Sequence, residues 1–204
     1  RVVPLGVRPV PVDVDQVAAV RRAHGLDAPY VLHVGTAEPR KNLSGLLDAF
    51  ARLDRAGVDL VLVGPDGWGD AGDALPTRLQ QRVRRLGFVS EHDKAALYAG
   101  AAVFCYPSVW EGFGLPVLEA LAQGAPVVTS RGTATEEVAG DAALLVDPHD
   151  PVELADALRR LLDDTDLAAD LRRRGPARAA AFPWSQTATL TAEAYAAVLG
   201  ATHP

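Results

Sequence analysis

The 204 residues contain one cysteine, Cys105, and no methionine. No disulfide can form within the chain, and no Cys/His cluster has zinc spacing, so the sequence predicts no structural metal. Excess positive charge is also missing: 20 Lys plus Arg face 26 Asp plus Glu, a net charge of −6. With a sequence pI of about 5.3, that balance argues against a nucleic-acid partner, whose signature is a basic face and a pI above about 9. A basic patch for a membrane surface is equally absent, and membrane association is not indicated. No apolar run approaches the roughly 20 residues of a membrane span, and Arg1-Val2-Val3-Pro4 does not lead into a signal-peptide core. The expected location is cytoplasmic. The chain starts without Met on a segment punctuated by Pro4, Pro9 and Pro11, and reads as a piece of a longer protein.

Short β-rich apolar runs alternate with amphipathic stretches between residues 29 and 148, the βαβ pattern of a parallel sheet covered on both faces. The predicted strands are Tyr30–Val34, Asp59–Val63, a short 87–89, 102–106, 126–129 and 142–146. Helix starts are marked by Asn42 before Leu43–Leu53, by Ser90 with Asp93 three residues on, and by Thr133 or Thr135 before Glu136. Residues 64–72 carry turn chemistry and predict a mobile loop. Helical patterns at 152–162 and 167–174 and a last helix capped by Ser185 form a tail without strands. The fold class predicted is α/β, a doubly wound, Rossmann-like parallel sheet of six strands with a helical C-terminal tail. Residues 1–28 form a lead-in segment with a helix from 15 to 23 packed on the domain, 29–184 the domain itself, and 185–204 the terminal helix.

Two stretches carry chemistry. Trp110-Glu111-Gly112-Phe113-Gly114-Leu115-Pro116 follows a strand and opens a helix. Its glycines let backbone N–H groups approach an anion, the helix start adds unpaired donors and a positive dipole end, and Pro116 suits a first turn. Glu119 is the only charged side chain in residues 112–130; an unpartnered carboxylate there is costly, which predicts that it faces a polar ligand. The second stretch, Gly35-Thr36-Ala37-Glu38-Pro39-Arg40-Lys41-Asn42, lies at the carboxyl end of the first strand, where open parallel sheets gather ligands. Lys41 and Lys94 are the only lysines. Cations at a helix start oppose its dipole, so Arg40 and Lys41 there point to an anion that offsets the repulsion.

With Ala122-Gln123-Gly124-Ala125-Pro126-Val127-Val128-Thr129-Ser130, Asp141-Ala142-Ala143-Leu144-Leu145-Val146-Asp147-Pro148 and the opening Val3-Pro4-Leu5-Gly6-Val7, these stretches resemble the carboxy-terminal domain of family-4 retaining glycosyltransferases of the two-domain GT-B fold. The resemblance covers nearly the whole chain. It implies a metal-independent hexosyltransferase using a GDP- or UDP-linked sugar as donor substrate, no further cofactor, and an amino-terminal acceptor-binding domain as partner. Lys41 would bind the diphosphate and Glu119 the ribose. Glu111 would contact hydroxyls of the donor sugar, Gly112, Phe113, Gly114 and Leu115 would offer backbone N–H groups, and Val89 a main-chain contact to the base. The sequence departs from the family at one position: many members place a second phosphate-binding Arg directly after the strand's glycine, where Thr36 stands, and Arg40 is the candidate to compensate. Gly35 and Thr36 complete the donor-binding set, and Lys41, Arg40 and Glu111 are the candidate catalytic residues.

Glu91, two residues beyond Val89, offers a carboxylate that fits the paired N–H donors of guanine, while also suiting a helix start; guanine and uracil both remain open. A nicotinamide-dependent dehydrogenase is excluded because no Gly-x-Gly-x-x-Gly follows the first strand, and a P-loop and a Gly-x-Ser-x-Gly elbow are also missing. A non-catalytic nucleotide-binding module is the alternative. Asp13-Val14-Asp15 matches the Asp-x-Asp of metal-dependent glycosyltransferases but precedes the sheet, so it is read as turn and helix cap. The five histidines suggest no site: His33 reads as a packed strand residue, and His24, His92, His149 and His203 as exposed.

Overall fold

Alternate residues of the central strands enter opposite cores, as the period of two demands. The computed structural model describes residues 2–65 and 77–200; most of the predicted 64–72 loop and His203 lie outside them. Tyr30, Leu32 and Val34 of β1 (Tyr30–Val34), Val61 and Val63 of β2 (Asp59–Val63), and Phe104 and Tyr106 of β4 (Val103–Tyr106) enter one core. Their neighbours Val31, Leu60, Leu62, Val103 and Cys105 enter the other. With β3 (Val83–Gly87), β5 (Val127–Ser130) and β6 (Ala143–Val146) they form a parallel six-stranded sheet in the order β3-β2-β1-β4-β5-β6 among the described residues. This is the doubly wound architecture expected.

The first core is covered by α1 (Val14–Ala23), α4 (Glu91–Gly100), α5 (Leu115–Ala122) and α6 (Ala134–Ala139), and the second by α2 (Leu43–Leu53) and α7 (Pro151–Asp163). A short α3 (Thr77–Gln80) precedes β3, and α8 (Thr165–Ala179) and α9 (Trp184–Gly200) end the described chain. Asp13 caps α1 in a reciprocal box with Gln16, which is the cap role read for the Asp-x-Asp stretch. Ser90 and Thr133 cap α4 and α6. The lead-in segment is tied to the tail, with Val7 N–H donating to the Phe182 carbonyl at 2.9 Å and the Thr187 hydroxyl to the Pro4 carbonyl at 2.7 Å.

Several boundaries differ from the sequence reading by a residue or two; three differ in substance. β3 runs from Val83 to Gly87 rather than over 87–89, and Phe88 lies beyond its end, 86% exposed. As an edge strand it carries exposed Arg84 and Arg85 and so never shows an apolar run. The last helix starts at Trp184, because Gln186 N–H already bonds to the Pro183 carbonyl at 3.0 Å; Ser185 lies inside the first turn. α8 extends past residue 174 to Ala179 with Pro176 inside it. His33 is buried, as read, while His24 is only partly exposed.

Candidate functional site

β1 and β4 are neighbours whose chains leave in opposite directions, β1 toward β2 and β4 toward β5. A crevice opens at their carboxyl ends, the usual ligand position in an open parallel sheet. On the β1 side the chain passes Gly35, where Gly64 packs so closely that a Cβ on it would stand 2.3 Å from the Gly35 carbonyl oxygen. Gly64 also has φ +131°, so a larger residue is barred twice over. The Thr36 carbonyl accepts from Glu38 N–H at 2.8 Å, and residues Pro39–Lys41 make one 3₁₀ turn. Asn42 then adopts a left-handed conformation, its side chain accepting from Gly45 N–H at 3.3 Å and donating to the Pro148 carbonyl at 2.6 Å. That turn drives Lys41 inward, leaving it 7% exposed.

Four side chains converge there. Lys41 Nζ lies 2.7 Å from Glu111 Oε1, and Arg40 Nη1 lies 2.9 Å from Glu111 Oε2. Tyr106, the last residue of β4, donates its hydroxyl to Glu111 Oε1 at 2.9 Å and accepts from Lys41. Glu38 holds the other edge of Arg40 at 2.8 Å. Burial works to raise the pKa of Glu111, but the hydrogen bond and charge of Lys41, with the Ser108 hydroxyl and the Tyr106 phenol, hold it below the ordinary value. Behind Tyr106 stacks His33, ring centroids 5.7 Å apart. Burial, with the Lys41 charge nearby, pushes His33 down to about 4, so it is neutral at pH 7 and its Nδ1–H donates to the Cys105 carbonyl at 3.0 Å. Its role is packing, as the sequence predicts.

The second half of the site is α5. Gly114 is its N-cap with φ +98°, no side chain caps the helix, and Pro116 occupies the first turn. A Cβ on Gly114 would stand 2.7 Å from Thr135 Cγ2. Phe113 turns its ring onto Phe182. One turn on, Glu119 faces α4, where it accepts from Lys94 Nζ at 3.2 Å and from the Tyr98 hydroxyl at 3.1 Å. Its partners come from a neighbouring helix, outside the segment in which it is the lone charge. Lys94 also pairs with exposed Glu91 at 2.9 Å. Burial works against the Lys94 ammonium, but Glu91 and Glu119 outweigh it and raise its pKa. These groups line a cavity of about 200 Å³ with Arg8 and Leu115. Val89, just before α4, has its side chain buried.

The fold thus joins Arg40, Lys41 and Glu111 directly, with Gly35 beside Lys41, and sets Glu91, Leu115 and Glu119 around one cavity. Glu38, Tyr98 and Tyr106 are partners the sequence did not single out. Tyr106 reads there as the end of an apolar strand. Among the described residues no group of three His, Cys, Asp or Glu could hold a metal ion, and no helix is long and apolar enough to cross a membrane.

The sequence matches, over residues 18–178, the family described as glycosyl transferases group 1. The chain belongs to that family. It is 41% identical to the O-antigen chain mannosyltransferase B of Escherichia coli over 174 residues, 81% of this chain and 45% of that protein. Sucrose-phosphate synthase from Thermosynechococcus elongatus superposes with a TM-score of 0.82 at 30% identity, covering 99% of this chain and 53% of the synthase. Anabaena HepE, solved in complex with UDP and glucose, superposes with a TM-score of 0.83 at 26% identity, covering 91% and 53%. The chain spans about half the length of these relatives. Within the group 1 glycosyltransferases its fold is that of the carboxy-terminal domain of the GT-B enzymes, as the sequence resemblance implies.

Proposed function

We propose that this chain is the donor-binding half of a retaining, metal-independent hexosyltransferase, which transfers a mannose-like or glucose-like unit from a nucleoside diphosphate sugar to an acceptor hydroxyl. The observation that carries the reading is the convergence of Lys41, Arg40 and Glu111 in the β1/β4 crevice. The start of α5, without a capping side chain, follows three residues after Glu111.

Breaking a sugar–phosphate bond develops positive charge on the ring and negative charge on the departing diphosphate. Cations and helix N–H donors held by the fold at that diphosphate once it is bound stabilise the charge that develops in the transition state. Lys41 supplies the first cation and Arg40 the second, in place of the Arg that Thr36 replaces. Gly112, Phe113, Gly114 and Leu115 supply backbone donors.

Lone-pair counting supports the two carboxylate roles. A carboxylate has about four acceptor sites. Glu119 uses one on Lys94 and one on Tyr98, which leaves about two, one for each ribose hydroxyl. Glu111 uses three, on Lys41, Tyr106 and Arg40, which leaves about one for a hydroxyl of the donor sugar. The acceptor site and the remainder of the cleft belong to the amino-terminal domain proposed as partner.

The donor is GDP- or UDP-linked, with Val89 giving a main-chain contact to the base. Glu91 lines the same cavity as Glu119, which supports a second carboxylate near the ribose in this reading. Calorimetry with GDP, UDP and the two monophosphates tests the reading: a diphosphate should bind at least about tenfold tighter than its monophosphate, the effect of one charge-assisted contact. If the base is guanine, Glu91→Ala should weaken GDP by up to about 1 kcal/mol, the scale for a hydrogen bond to a largely exposed carboxylate, and leave UDP unchanged. Equal loss for both makes Glu91 a helix-start residue, and no preference for a diphosphate contradicts the donor site.

A further inference from the structure

We propose that Tyr106 is a positioning residue of the donor site: its phenol keeps the Glu111 carboxylate in place while Lys41 leaves that carboxylate for the diphosphate. The inference rests on the donor-binding reading above.

Lys41 and Tyr106 both donate to the same atom, Glu111 Oε1, at 2.7 and 2.9 Å. Arg40 holds Oε2 at 2.9 Å. Without ligand the ammonium gives one N–H to Glu111 and one to Tyr106, so a diphosphate bound by its remaining donor competes with Glu111 for Lys41 and draws it toward the phosphate. Oε1 would then lose its strongest partner in a half-buried position, where an unsatisfied carboxylate oxygen is costly. Tyr106 is the group that stays.

The phenol is built to stay. Its ring is buried and stacks between His33 and Phe104, with centroids at 5.7 and 5.9 Å. The Tyr106 carbonyl is pinned by the Thr129 hydroxyl at 2.9 Å. Burial and the Glu111 charge raise the phenol's pKa, so it remains a donor across the working pH range. The groups facing Glu111 are Arg40 and Lys41 from the β1 loop, Tyr106 from β4 and the hydroxyl of Ser108, two residues after it, with His33 of β1 behind and Glu38 beyond Arg40. His33 is neutral; Tyr106 is an uncharged donor bonded to Glu111, and the Ser108 hydroxyl adds to its effect on the same carboxylate.

Tyr106→Phe removes the hydroxyl and keeps the ring stacking, so the fold is retained. Two readouts on the chain test it. In a ¹³C-carboxyl titration, with Glu111 assigned through Glu111→Gln, the Glu111 midpoint should rise by about one pH unit in Tyr106→Phe, one hydrogen bond expressed as a pKa. In calorimetry, GDP and UDP should bind within about threefold of wild type, whereas the preferred one of GDP-mannose and UDP-glucose should weaken by about tenfold. Either readout remaining at its wild-type value would show that Tyr106 only packs. Lys41→Ala is run in parallel: if it leaves diphosphate affinity unchanged, the donor-site reading itself fails, whatever Tyr106→Phe does.

Discussion

Lys41→Ala is expected to weaken nucleoside diphosphate binding by roughly 1.5–3 kcal/mol, about 10- to 150-fold, the range for charge-assisted hydrogen bonds. The loss is limited because Lys41 is not idle without ligand. It is paired with Glu111 at 2.7 Å, so binding exchanges one anion for another, and the phosphate's advantage is its greater charge and several acceptor oxygens. Arg40 is more exposed than Lys41, with 37% against 8% of its side-chain surface accessible, so solvent screens it and Arg40→Ala should cost less. Lys41→Ala leaves Glu111 with Arg40 and Tyr106 as donors, and the fold should survive. Calorimetry with GDP and UDP on a variant shown folded by its thermal transition is the check; unchanged affinity would remove Lys41 from the diphosphate site.

Glu111→Gln should divide binding from transfer. An amide cannot hold two cations, so Lys41 is released for phosphate while Arg40 keeps Glu38, and diphosphate affinity should hold or tighten by up to about tenfold. On the donor-binding reading proposed above, breakdown of the donor uses the carboxylate at the sugar, where charge develops. Release of nucleoside diphosphate from the sugar nucleotide by the full-length protein should fall by roughly 10²–10³-fold, the scale for losing one electrostatic contact in a transition state. The free variant should also be less stable, because Lys41 stays buried without its partner, and added diphosphate should recover the loss by mass action. A transfer rate within a few-fold of wild type would show that Glu111 acts only as a structural counter-ion.

These effects depend on which side chains meet, and the sequence discloses that unevenly. The central strands are legible because each is a short apolar run buried on both faces, and α2 because Asn42 announces it. β3 is not, because an edge strand has solvent on one side and its Arg84 and Arg85 look like loop. Lys41 and Glu111 are separated by 70 positions; they were singled out by chemistry at two strand ends, and the β1–β4 adjacency brings them together. Tyr106 and Tyr98 were illegible for the opposite reason. A tyrosine in an apolar run carries no mark of where its hydroxyl points, and only the tertiary fold aims one at Glu111 and the other at Glu119.

The most direct test is a crystal structure of this chain with whichever of GDP and UDP binds more tightly. The account predicts the β-phosphate within hydrogen-bond distance of Lys41 Nζ and of backbone N–H groups in the Gly112-Phe113-Gly114-Leu115 turn, with Glu119 on the ribose hydroxyls and Glu111 still bonded to Tyr106. A nucleotide bound elsewhere, or one in the crevice with Lys41 still on Glu111 and no phosphate contact, would contradict it.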